Sequence, residues 1–83
     1  MNQDADIKNN LKNIIQEHLG KVVSSLFLAK SLAIIDESAD NKESFIAVAD
    51  RIRTRTALFI NKKLAERVFQ SLTVEIEKIA SPD

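Results

Sequence analysis

Cysteine is absent from this chain of 83 residues, so disulfides and thiolate metal sites are excluded. The single histidine, His18, cannot build a zinc site without several carboxylates. There is one glycine, Gly20, and one proline, Pro82. A glycine-rich phosphate loop is therefore impossible. Turn-rich β folds, which draw on both residues repeatedly, are disfavoured, while long helices exclude both. Aromatic residues are few: Phe27, Phe45, Phe59 and Phe69. No apolar run spans a bilayer, since the most apolar stretch, residues 22–35, is too short and is interrupted by Ser24, Ser25, Lys30 and Ser31. The acidic start of the chain lacks the basic flank and apolar run of a secretory signal, and the expected location is cytoplasmic.

What is present is a composition rich in Ala, Leu, Ile, Lys and Glu, with 45% hydrophobic and 29% charged residues. That balance suits a folded, all-α chain forming a single helical domain over residues 1–83. A domain this small buries a modest fraction of its surface, and without disulfides or metal the remaining reinforcement is association with another chain.

Periodicity predicts two long helices, at about 4–36 and 41–80, forming a long antiparallel hairpin. Asp4 or Asp6 can stabilise the first N-terminus. Ile7, Leu11, Ile14, His18, Val22, Leu26, Ala29 and Ala33 then recur at steps of three and four. Gly20 inside this run marks a candidate break. The connection is Asp36 to Asn41, where Asp40 and Glu43 have the spacing of a capping box. In the second helix Phe45, Ala49, Ile52, Thr56 and Phe59 share one face. Leu64, Val68, Leu72, Ile76 and Ile79 fall on the opposite one. The stripe switches across Asn61-Lys62-Lys63. Either the helix breaks there and folds back, or its last third packs on another subunit. Ser81-Pro82 ends the pattern.

Residues 22–35 are apolar nearly all round, because Val23, Phe27 and Ile34 lie away from the Val22, Leu26, Ala29 stripe. A helix apolar on every side is buried on every side. The expected outcome is a helical bundle completed by self-association, with a dimer favoured. Its contact surface is expected at Val23, Phe27, Ile34, Leu64, Val68, Phe69, Leu72 and Ile76. Phe69, off its stripe, is a candidate partner anchor.

The formal net charge is zero, with −2 on residues 1–40 and +2 on residues 41–83. The local exception is 51–67, where Arg51, Arg53, Arg55, Lys62, Lys63 and Arg67 face Glu66 alone. Phosphate neutralisation is the functional interpretation of such density. On one continuous helix Arg51, Arg55 and Lys62 share a face and form the candidate basic contact patch. No aromatic is interleaved for base stacking. A helix-turn-helix centred on Gly20 would place Val22 to Lys30 in a groove, a segment with little to offer a base edge. Ser24 and Ser25 lack a neighbouring base and an oxyanion site, so helix packing is their expected role. His18 is expected at the core border with one ring nitrogen bonded. Asp36, Glu37 and Asp40 lack calcium-ligand spacing. No cofactor or catalytic group is expected. The sequence points to a protein–protein interaction module, such as a self-associating adaptor, chaperone or inhibitor. The alternative is a small dimeric nucleic-acid-binding regulator using residues 51–67.

Overall fold

The computed structural model describes residues 3–78, with side chains from Ile7 onward. It is all-helical, with four helices among the described residues: α1 (Gln3–Leu19), α2 (Ser25–Asp36), α3 (Lys42–Phe59) and α4 (Lys62–Glu77). The two long helices expected from periodicity are each divided. A helix of 33–40 residues would be roughly 50–60 Å long, whereas the longest dimension of the molecule is 38 Å. The radius of gyration, 12.2 Å, matches the roughly 12 Å of a compact chain of this length. A single copy therefore closes its own core.

Each break has a local cause. At the first, the Gly20 N–H donates to the Gln16 carbonyl at 2.9 Å, and the Val22 and Val23 N–H groups both turn back to Leu19 O at 3.1 Å. Ser24 is extended and its hydroxyl accepts from the Phe27 N–H at 3.1 Å, which starts α2. Ser24 is thus an N-cap in an exposed turn rather than a helix-packing residue. At the second connection Asn41, not Asp40, caps α3, its Oδ1 accepting from the Ser44 N–H at 2.8 Å. Asp40 instead pairs with Lys8 at 3.1 Å. The Lys8 ammonium also donates to the carbonyls of Asp36 and Ser38, meeting acceptors at and just past the end of α2. At the third connection Ile60 leaves helical geometry and Asn61 caps α4, accepting from the Leu64 N–H at 2.7 Å. The stripe switch near residue 60 is therefore a fold-back. Ile79, Ser81 and Pro82 lie outside the described residues.

The helices contact in the order α1–α2–α3–α4 and back to α1. The core takes Leu11, Ile15 and Leu19 from α1 and Ile35 from α2. From α3 come Phe45, Val48, Ala49 and Ile52, and from α4 Val68, Leu72 and Ile76. The buried α1 triplet is spaced i, i+4, i+8, one helical stripe. His18 bridges α1 to α4, its Nε2 lying 3.2 Å from Ser71 Oγ. The Thr56 hydroxyl, buried in α3, donates to the Ile52 carbonyl. Packing of α3 on α4 is the most extensive seam and α2 on α3 the thinnest.

Residues 22–35 are not buried on every side as expected; one side faces solvent. Val22 and Leu26 are exposed, while Val23, Phe27 and Ile34 pack against the core. The turn at 20–24 resets the helical phase, so a stripe carried across it points the wrong way. Ser31 is fully buried in α2, and its hydroxyl has no hydrogen-bond partner among the described residues. An unpaired buried hydroxyl costs about 1–3 kcal/mol, and alanine restores helix propensity. Ser31→Ala is expected to raise stability by about 1 kcal/mol in urea unfolding. An equal fall would mean that the hydroxyl is bonded in solution.

Candidate functional site: a cationic end with an apolar centre

The turn at 20–24 and the connection at 60–61 lie together, since Val22 and Asn61 line the same cleft. The 37–41 connection lies near the opposite end, where Lys8 reaches Asp40 and Lys42 pairs with Glu77 at 3.0 Å. This arrangement sorts charge along the molecule. Residues 12–30 and 51–69 flank the first end and hold nine bases against two acids, Glu17 and Glu66, a net of +7. Residues 31–50 and 70–78 hold two bases, Lys42 and Lys78, against seven acids. A chain of zero net charge is thus strongly polar from end to end.

Ion pairing sharpens the contrast. Lys8, Lys12, Lys42 and Lys78 all bond carboxylates, as does Arg53, which reaches Asp50 and Glu66. Lys21, Lys30, Arg51, Arg55, Lys62, Lys63 and Arg67 take part in none of the ion pairs formed among the described residues. All seven belong to the cationic half. Exposed pairs of this kind contribute little to stability, but unpaired cations on one end set up a field that draws anionic partners.

The same end exposes apolar surface. Leu58 is 75% exposed, Phe59 68%, Leu26 66% and Val22 56%. Phe59 lies edge-on to Phe27, with ring centroids 6.0 Å apart. The Arg55 guanidinium carbon sits 4.9 Å from the Phe27 ring centroid. Arg51, Arg55 and Leu58 follow one another at i, i+4 and i+7 and so share a stripe of α3. Two open clefts result. One, of about 330 Å³, is lined by Val22, Asn61, Lys63, Leu64 and Arg67. The other, of about 240 Å³, is lined by Ser24, Leu26, Phe27, Lys30, Arg55 and Phe59. Among the described residues no carboxylate lines either cleft.

The residues expected to form an association surface divide in two. Val68, Leu72 and Ile76 are core residues of a single copy and offer no surface, because α4 folds back onto α3 and α1. Val23, Phe27, Ile34, Leu64 and Phe69 are half-buried against the same core. The Phe69 ring carries the Arg53 guanidinium over its face at 4.1 Å, so it is covered within the chain. Of this set only Phe27 and Leu64 line the clefts. Arg51, Arg55 and Lys62 all lie in the cationic half, but not on one helix face: Lys62 opens α4 beyond the break at Ile60–Asn61. In the exposed quartet Val22, Leu26, Leu58 and Phe59, sequence places Val22, Leu26 and Phe59 on packing stripes, and the structure turns them to solvent. Leu58 alone carried a signal, as a large apolar residue off the Phe45–Phe59 stripe.

Among the described residues no three His, Asp or Glu side chains converge to hold a metal ion. No described helix is long and apolar enough to cross a membrane. Comparison with protein-family models, with curated proteins and with solved structures gives no match.

Proposed function

We propose that the protein is a non-catalytic helical protein–protein interaction module whose docking surface is the cationic end, and that the surface receives an acidic protein segment bearing apolar anchors. What carries this reading is the coincidence, at one end of the molecule, of four exposed large apolar side chains with the unpaired cations. An apolar centre rimmed by charge of one sign is the anatomy of a protein contact. The rim steers and selects a partner of opposite sign, and the centre supplies burial.

Self-association fits only in one sense. A symmetric dimer through this patch would set the cations of one cationic half against those of another, and like charges in contact cost several kcal/mol. A second copy suits the surface through its acidic half. Nucleic acid is less well matched, because phosphates would use the cations but leave Leu26, Leu58 and Phe59 against a polyanion.

Apolar accessibility of the folded chain tests the reading. A dye that fluoresces on apolar surfaces is expected to bind the native protein. Leu26→Ser/Phe59→Ser, with unchanged helicity and melting, is expected to lose most of that signal. A native chain that leaves the dye dark would end the proposal.

A further inference from the structure

We infer that the docked segment is an amphipathic acidic α-helix lying across both clefts, its apolar anchors in a row and its carboxylates at either end of that row. This rests on the docking reading above and specifies the partner's geometry. Val22 of one cleft and Ser24 of the other are two residues apart, as are Asn61 and Phe59. The two clefts therefore lie near one another at the two turns, and each combines apolar side chains with cations. The cations stand in two pairs, Lys63 and Arg67 in one cleft, Lys30 and Arg55 in the other. The arrangement asks for acids near both ends of the occupant rather than in one block.

The occupant's backbone decides between helix and strand. An extended segment would lay unpaired N–H and C=O groups against the apolar lining residues Val22, Leu26, Phe27, Phe59 and Leu64. Such groups are costly to desolvate unless another backbone receives them. Strand addition needs an open sheet edge, and the described residues form helices without strands. A helix satisfies its own backbone and presents side chains at i, i+3, i+4 and i+7 to a groove. The Arg55 guanidinium, stacked over Phe27, is already placed, so less side-chain freedom is lost on docking.

The test uses the full chain and fluorescence anisotropy. One labelled peptide is a designed helix with leucines at i, i+3, i+4 and i+7 and glutamates flanking them; a second has the same composition in scrambled order. Duplex DNA and anionic phospholipid vesicles complete the panel. The designed helix is expected to bind in the micromolar range, about tenfold or more tighter than the scrambled peptide. Lys63→Glu/Arg67→Glu, both exposed positions, is expected to weaken it by about tenfold or more while melting stays unchanged. Equal binding of designed and scrambled peptides overturns the helical partner but leaves an acidic partner standing. Tighter binding of the duplex or of the vesicles than of the helix overturns the inference in favour of that partner. No binding of the helix overturns it also, and the dye experiment then shows separately whether the docking surface survives.

Discussion

Leu72→Asp is expected to leave the chain unfolded in buffer at room temperature, whereas Leu26→Asp folds with nearly parental stability. Leu72 is 1% exposed at the centre of α4, between Val68 and Ile76. Replacing it removes a core side chain worth about 2–5 kcal/mol and confines a carboxylate within the apolar core. Burial of an unpaired charge adds several kcal/mol more, or forces protonation. The whole stability of a domain this size is about 4–12 kcal/mol, so little or nothing is left. Leu26 stands in the first turn of α2, largely in solvent. A carboxylate there faces the unpaired N–H groups of the helix start and gains about 0.3–1 kcal/mol, which offsets the small leucine burial it replaces. Far-UV circular dichroism and urea titration of the two variants check this. The opposite pattern, Leu72→Asp folded and Leu26→Asp unfolded, would mean that α4 turns its stripe outward and that the four-helix packing is wrong.

Gly20→Ala has an effect whose sign depends on the architecture. In a continuous helix from residue 4 to 36, alanine in place of an interior glycine would stabilise by about 1 kcal/mol. In the turn that follows Leu19, a β-carbon on residue 20 would collide with the Gln16 carbonyl oxygen. That oxygen is backbone and already accepts the residue-20 N–H, so relief requires moving the end of α1. A loss of about 2 kcal/mol is expected. Because Leu19 just before it is fully buried, the displacement is transmitted to the core. The urea midpoint of Gly20→Ala reads the sign directly; a rise in stability would restore the single long helix.

The contrast between those two sites follows from which signals were legible. Ser24 before an apolar run, and the repeated Asn-Lys pairs at 41–42 and 61–62, are N-cap signatures. Asn61 coincided with a stripe reversal, and the break there could be read. Ser24 sat within an unbroken sequence of apolar steps, which masked it. A helical period carried across a turn gives the wrong face, which is why the Val22 and Leu26 stripe is exposed while Phe27 and Ile34 pack on the core, rather than every side being buried. With apolar residues on both sides of α2, no polar stripe existed to fix the rotation. The cationic end was half legible. The density at 51–67 is linear in sequence, but Lys21 and Lys30 join it only because the two turns meet.

Composition alone determined the class: without cysteine, with one glycine and one proline, and with three- and four-residue apolar steps, the chain had no regular option but helices. Local chemistry also determined that the chain turns near Asp36–Asn41, because polar capping residues there displace an apolar pattern. Only the tertiary structure decided which side of α2 is inside, that α4 closes the core of its own chain, and that Lys63 and Arg67 share a cleft with Val22 while Lys30 and Arg55 share one with Leu26 and Phe59. The physical reason is that propensity and periodicity act over a few residues. The placement of charge and exposed apolar area depends on which ends of separate helices come together, and that is set by packing.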